Sequence, residues 1–121
     1  MDLSPLDKTW IFDVDGTIVK HNGYLNDGYD TLLDGVKEFW SKIPQNDKII
    51  LLTARKDEYL ENLKEFLSDN NIRYDYLLTN IPVGERILIN DKKPGGLNTA
   101  FAINKNRDEK LNIEYCINEN L

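Results

Sequence analysis

The stretch that sets the fold of this chain is an apolar run ending in two acids, TWIFDVDGT at residues 9–17. Continuous apolar and β-branched residues of this length are typical of a strand that is buried on both faces of a parallel sheet. Three further runs have the same character and also end at a polar residue: 48–52 before Thr53, 74–78 before Thr79, and 86–90 before Asp91. We therefore predict a parallel sheet built from these runs.

Helical spacing separates the predicted strands. Val36, Phe39, Trp40 and Ile43 repeat with the period of a helix, and a second apolar stripe covers residues 59–67. Strands that alternate with helices predict an α/β fold, here a three-layer, Rossmann-like parallel sheet flanked by helices. A length of 121 residues suits a single domain that covers residues 1–121.

Two regions lack this regular pattern. Residues 18–30 contain HNG and NDG, which favour turns, so we predict a short flap hairpin there. In the tail, about 104–121, apolar residues alternate with polar ones, a pattern typical of a half-buried edge strand. The same alternation would also suit a subunit contact in a homo-oligomer.

Charge and composition limit the expected partners. The net charge is −6 and the pI is about 4.7, so the overall field repels nucleic-acid phosphates and anionic membranes. No apolar run approaches the ~20 residues that cross a bilayer. The N-terminus lacks the features of a signal peptide, and Cys116 is the only cysteine. We expect a cytoplasmic protein that binds neither nucleic acid nor membrane.

Acidic side chains follow two of the predicted strands. Asp13 and Asp91 should meet at one edge of the sheet, because ligands of open α/β sheets bind beyond the carboxyl ends of the strands. Asp15 points the same way as Asp13 on an extended segment. A hard cation would relieve the repulsion among these carboxylates, and Mg²⁺ prefers few carboxylates, several waters and phosphate oxygens.

The residues after Asp15 suit an anion. Gly16 permits a tight turn and a close approach of the backbone to a phosphate. Backbone N–H groups at such a turn can donate to that phosphate. Thr17 adds a hydroxyl group or caps the turn. Thr53 adds a second hydroxyl from a neighbouring strand; alternatively, or in addition, it caps the segment that begins Ala54-Arg55.

Three segments resemble, in the same order, motifs of the haloacid dehalogenase superfamily, whose members are mostly phosphatases. Residues 13–17, DVDGT, resemble the first motif, residues 50–53, ILLT, the second, and residues 87–91, ILIND, the fourth. The resemblance implies that Asp13 attacks phosphorus and forms an aspartyl-phosphate. It also implies that Asp15 protonates the leaving oxygen and then activates the hydrolytic water.

The resemblance also assigns ligands. It implies a Mg²⁺ ion held by Asp13, the backbone carbonyl of Asp15, and Asp91. It implies a substrate phosphate held by residues of the first two motifs: Gly16, Thr17, Thr53 and Ala54. Apart from the resemblance, Arg55 is expected to make a surface or supporting contact, with a contact to the substrate as the alternative.

The third motif of that superfamily supplies a Lys or Arg that neutralises the phosphate, and here its identity is open. Arg86 begins the run that ends at Asp91, but at ~3.3 Å per residue it would lie well below the carboxyl end of that strand. Lys92 and Lys93 directly follow Asp91 and lie nearer the expected site. All three stay candidates.

The spacing between the motifs leaves no room for a cap domain, so the cleft should be open. The flap residues are the nearest candidates for contacts with the leaving group: Lys20, His21, Asn22 and Tyr24. The resemblance implies a phosphatase acting on a small phosphorylated metabolite or sugar, such as one of surface-polysaccharide biosynthesis. Alternatives are a protein or nucleic-acid end phosphatase, a phosphotransferase, and a non-catalytic phosphate-binding or interaction module. The negative charge counts against a nucleic-acid substrate.

Overall fold

The computed structural model describes residues 1–121 and contains parallel strands in two sheets, with few helices. In chain order the elements are β1 (Asp2–Leu3), β2 (Thr9–Asp13), α1 (Gly23–Asn26), α2 (Val36–Ser41), β3 (Lys48–Leu52), a 3₁₀ turn (Asp57–Tyr59), α3 (Leu60–Asp69), β4 (Tyr76–Leu78) and β5 (Cys116–Ile117). The predicted α/β class is confirmed. None of the helices has the length and apolar character needed to cross a bilayer.

The larger sheet has the order β2-β3-β4, and its three strands are parallel. Helix α2 connects β2 to β3, and α3 connects β3 to β4. The register pairs Asp13 with Leu52 and Leu52 with Leu78, so the carboxyl ends of the three strands lie level at one edge. This alignment places the loop after β2 beside the loop after β3.

The hydrophobic core lies on the face of this sheet that α2 and α3 cover. Phe12 and Leu51, which are neighbours in the register, are buried there. The two predicted helical stripes supply the other side of the core, with Val36, Phe39 and Trp40 from α2 and Leu63 and Leu67 from α3. The left-handed backbone of Asn71, φ 57°, follows the last residues of α3 and turns the chain back towards β4.

The opposite face of the sheet is open. Ile11, Tyr76 and Leu78 point to that face and are 49%, 61% and 46% exposed. The outer edge of β2 has no neighbouring strand in this sheet. No helix covers that face in this structure, so the three-layer, Rossmann-like arrangement stays a prediction.

The run 86–90 is the predicted strand that this sheet lacks. It forms no strand in the structure, and Ile87 and Ile89 are 80% and 88% exposed. An apolar run becomes a strand only when it pairs with the hydrogen-bonding edge of another strand, and in this structure the run pairs neither with the free edge of β2 nor with any other strand. The apolar pattern predicts that the run is buried, but it does not specify the strand with which the run pairs.

The two irregular regions also differ in detail from the predictions. The ends of the flap, 18–30, meet in an antiparallel bridge between Val19 and Leu32, as in a hairpin, and the short helix α1 lies between them. Asn22, in a left-handed conformation with φ 55°, precedes this helix. In the tail, β5 pairs in parallel with β1 and forms a separate two-stranded sheet. Leu111 is buried in the core, and Ile113 and Tyr115 pack against it, so these alternating residues point inwards, whereas Ile117 is 44% exposed.

Candidate active site

The loop after β2 holds the two acids at the edge of the sheet. The Val14 N–H continues the ladder by donating to the Leu52 carbonyl at 2.9 Å. The Val14 carbonyl then accepts from the N–H groups of Thr17, Ile18 and Val19, which closes a tight turn. Val14, Ile18 and Val19 are fully buried, so the core anchors the turn on both sides. Asp13 and Asp15 lie on either side of this anchor and face a cleft.

The carboxylate of Asp13 is accessible and has two polar neighbours. Arg86 Nη1 donates to its Oδ1 at 2.8 Å, and the Thr17 hydroxyl donates to its Oδ2 at 3.2 Å. The Asp13 side chain is 37% exposed, which leaves room for a reacting group. Of the three cation candidates, the structure brings Arg86 to Asp13. The Thr17 hydroxyl, predicted to face a phosphate, is directed at the expected nucleophile.

The carboxylate of Asp15 is held from the side of the protein. The Thr53 hydroxyl donates to its Oδ2 at 2.7 Å, and Nε and Nη2 of Arg55 donate to its Oδ1 at 3.0 and 2.8 Å. Thr53 is fully buried and does not line the cleft. In this structure the Thr53 hydroxyl thus donates its hydrogen to Asp15, and the contact of Thr53 with a substrate phosphate stays a prediction.

Arg55 is the most connected side chain of the site. Besides Asp15 it binds Asp30 with two hydrogen bonds of 3.0 and 2.7 Å, and its guanidinium carbon lies 3.7 Å from the centre of the Tyr24 ring. Burial lowers the pKa of the guanidinium, but the hydrogen bonds and charges of Asp30 and Asp15 outweigh burial and place its pKa above the ordinary value. Burial disfavours the charged phenolate of Tyr24 and thereby raises the pKa of its hydroxyl.

The cleft is lined by both acids and by three guanidinium groups, those of Arg55, Arg86 and Arg107. From the flap, His21, Asn22 and Tyr24 reach the same cleft, and Ala54 lines it between Thr53 and Arg55. Lys20, the fourth flap candidate, does not line the cleft and pairs with Asp27 at 2.8 Å. Contacts of the flap with a leaving group stay a prediction. The local charge is thus far less negative than the net charge of −6 implies.

The C-terminal tail completes the site, and sequence reasoning missed this. The Asp108 N–H donates to the Gly16 carbonyl at 2.9 Å, and Lys105 Nζ donates to the same carbonyl at 3.2 Å. Burial lowers the pKa of the Lys105 ammonium. A Cβ on Gly16 would lie 3.2 Å from Cγ of Arg107, so the tail covers the glycine that was expected to face a phosphate. Lys105 and Arg107 are visible in the sequence as cations, but their spacing does not link them to the distant residues 13–17.

Asp91 and Lys92 do not reach the cleft. Both are exposed, and the Asp91 carbonyl accepts a hydrogen bond of 2.6 Å from the Thr99 hydroxyl. Lys93 is also exposed and bonds through its backbone N–H to Leu97. The structure does not bring Asp91 and Lys92 to Asp13, because the run 86–90 that should carry them there forms no strand. Their roles at the site stay predictions.

The fit of a metal ion to these residues is partial. Asp13 offers an accessible carboxylate, as a hard cation requires, and Arg86 supplies a positive charge at that carboxylate. No group of three or more acidic, histidine or cysteine side chains lies close enough together to hold a metal. Of the three predicted metal ligands, the structure therefore brings together Asp13 and Asp15 but not Asp91.

Comparison with known proteins yields a likeness of fold. No protein-family profile matches this chain, and no curated protein matches it. A chain in the solved structure of the Pnkp1/Rnl/Hen1 complex is 31% identical over 69% of the present chain, with a TM-score of 0.53. The match covers 31% of that longer chain, so the present chain spans about a third of its length.

Proposed function

We propose that this chain is a phosphatase that hydrolyses a phosphomonoester of a small metabolite or sugar through an aspartyl-phosphate. One observation carries the proposal. An accessible carboxylate, Asp13, shares a cleft with a second acid, Asp15, whose orientation is held by Thr53 and Arg55. Two acids with different surroundings can divide the work of nucleophile and proton donor.

The proposed reaction has two steps. In the first, an oxygen of Asp13 attacks phosphorus while the ester P–O bond breaks, and Asp15 gives a proton to the departing oxygen. In the second, Asp15 takes a proton from a water molecule that attacks the same phosphorus, and Asp13 is released as a carboxylate. Inorganic phosphate and the free alcohol are the products.

The cations of the cleft support this chemistry. A phosphomonoester brings negative charge to two carboxylates, so positive groups must lie within a few ångströms. Arg86 contacts Asp13 directly, and Arg107 lies across the same cleft. Planar guanidinium groups suit phosphate oxygens because they donate two hydrogen bonds at once.

Magnesium dependence is part of the proposal. Asp13, the Asp15 carbonyl and Asp91 would hold Mg²⁺, which when bound offsets the charge of the phosphate and the nucleophile. The finer fold we propose adds the run 86–90 to the free edge of β2, which makes a larger sheet whose open face can be covered. Two features support this: that edge is unpaired, and the run is apolar and exposed.

This arrangement has a consequence for Arg86. In a strand, five residues span ~16 Å, so Asp91 at the sheet edge would draw Arg86 away from Asp13. The ion pair of Arg86 with Asp13 and the ligation by Asp91 are therefore alternatives. Lys92 and Lys93 would then be the cations nearest to the phosphate.

The direct test is phosphate release from p-nitrophenyl phosphate with Mg²⁺. We expect turnover that EDTA abolishes and that Asp13→Asn lowers by at least about 10³-fold with an unchanged circular dichroism spectrum, since an amide cannot form the acyl-phosphate. Asp69→Asn, an exposed acid at the end of α3, is the matched control and should retain activity. An active Asp13→Asn protein would exclude Asp13 as the nucleophile.

A second candidate is a phosphate-binding or interaction module that does not turn over. The observation that favours it is the ion pair between Arg86 and Asp13, which occupies the expected nucleophile. This candidate predicts that inorganic phosphate binds by calorimetry while no phosphomonoester releases phosphate. A phosphotransferase is distinguished from both by a phosphorylated acceptor among the products.

A further inference from the structure

Arg55 joins three separate parts of the chain through one buried side chain. Its guanidinium contacts Asp15 on the loop after β2, Asp30 at the end of the flap, and the ring of Tyr24 in α1. The side chain is only 2% exposed, and that of Asp30 is 4% exposed. Arg55 itself does not serve as nucleophile or proton donor in the proposed reaction.

The hydrogen bonds to Asp15 determine how its carboxylate is oriented. Oδ1 accepts two N–H groups of Arg55, and Oδ2 accepts only the hydroxyl of Thr53. A carboxylate oxygen has two lone pairs, so Oδ1 is saturated and Oδ2 keeps one free site. A proton to be transferred therefore has one defined position on this carboxylate.

We propose that Arg55 is a positioning residue that aims Oδ2 of Asp15 at the leaving-group oxygen, and that the flap holds Arg55 in place through Asp30 and Tyr24. The inference rests on the proposed phosphatase function. Without Arg55 the carboxylate could rotate about its terminal torsion, which is broad for Asp. The flap thereby contributes to proton transfer as well as to contacts with the substrate.

A structural role alone would also explain a buried Arg between two acids, so the test must separate the two roles. Protonation of the leaving group matters most when that group is a poor one. An alkyl phosphate needs the proton, whereas p-nitrophenolate leaves with little help. A residue that only stabilises the fold or binds the phosphate affects both substrates alike.

The experiment measures kcat/KM of Arg55→Lys for p-nitrophenyl phosphate and for an alkyl phosphate such as glycerol phosphate. Because a general acid contributes about 10²- to 10⁴-fold, we expect a loss of about 10²-fold or more for the alkyl ester. The loss for the aryl ester should stay below about 5-fold on the same grounds. Arg73→Lys is the control, since Arg73 also ties segments together, through the carbonyls of Ile43, Pro44 and Asp47. It should not change the ratio of the two substrates.

Equal losses for both esters in Arg55→Lys would overturn the positioning role while leaving the phosphatase assignment intact. A wild-type protein that releases phosphate from neither ester would instead overturn the proposed function. If Arg55→Lys fails to fold, Asp30→Asn decides the question, because Asp30 does not line the cleft and this change weakens only the support that the flap gives to Arg55. We expect a smaller preferential loss of the alkyl ester, about 5- to 10-fold, from Asp30→Asn, and an unchanged substrate ratio would overturn the proposal.

Discussion

Replacing Arg55 by Met should reveal how much the buried charge cluster contributes to stability. Asp30 makes its side-chain hydrogen bonds to Arg55 alone, and its side chain is 4% exposed. Arg55→Met therefore leaves a carboxylate buried without a partner. Removal of one member of a buried ion pair costs about 3–5 kcal/mol. The methionine keeps most of the apolar stem, so little of this loss should arise from a cavity.

The second half of the experiment also removes the Asp30 carboxylate, which Arg55→Met leaves without a partner. Replacing a whole buried ion pair with apolar residues is often nearly neutral, so Arg55→Met/Asp30→Leu should recover at least about 2 kcal/mol of the loss. Asp30→Leu alone should cost less than Arg55→Met, because Arg55 still has Asp15 as a partner. The double mutant is thus expected to be more stable than the Arg55→Met single mutant.

Urea unfolding at 25 °C, followed by circular dichroism, measures these differences. With a slope of about 1–3 kcal/mol per molar urea, a loss of about 3–5 kcal/mol shifts the midpoint by about 1–5 M. Unchanged slopes would show that the compactness of the unfolded state is not responsible. The reasoning is refuted if Arg55→Met costs less than about 1 kcal/mol, or if the two substitutions simply add.

Two further predictions concern the metal and a glycine. If the run 86–90 pairs with β2, Asp91→Asn should raise the Mg²⁺ concentration for half-maximal phosphate release by about 10-fold or more, while Arg86→Gln should lower it; an unchanged Mg²⁺ dependence in Asp91→Asn would contradict the proposed ligand. Gly35 has φ 83°, and a Cβ there would collide with the Leu111 carbonyl oxygen. Gly35→Ala should therefore destabilise by clearly more than the ~1–2 kcal/mol of left-handed strain. Gly28→Ala is the control in thermal melts, since Gly28 has the same φ and nothing within 4 Å. Equal losses for the two would exclude the collision.

Local pattern was enough for the elements that carry the first acid. The run 9–13 is a strand because its alternate residues bury on the core, and the stripes of α2 and α3 cover the same face. The spacing of Asp13 and Asp15 likewise placed both in one cleft. Such features depend on residues that are close in the chain, so the repeat of about 2 residues in a strand or about 3.6 residues in a helix predicts them.

Other features depend on which distant segments meet. The partners of Arg55, the ion pair of Arg86 with Asp13, and the packing of the tail against Gly16 join residues 25 to 92 positions apart. No periodicity specifies such pairs, because many acids and cations of similar spacing were available. The failure of the run 86–90 to form a strand has the same origin: its apolar residues show a need for burial, and only a neighbouring edge can meet it.

The sequence by itself thus determined the α/β class, the core faces of the helices, and the pairing of Asp13 with Asp15 at the end of β2. Only the tertiary structure determined that Thr53 donates to Asp15, that Arg55 joins Asp15 to the flap, and that Arg86 pairs with Asp13. The physical reason is that backbone periodicity is a property of neighbours in the chain. The direction of a buried carboxylate is instead set by whichever donors the folded chain brings within 3 Å.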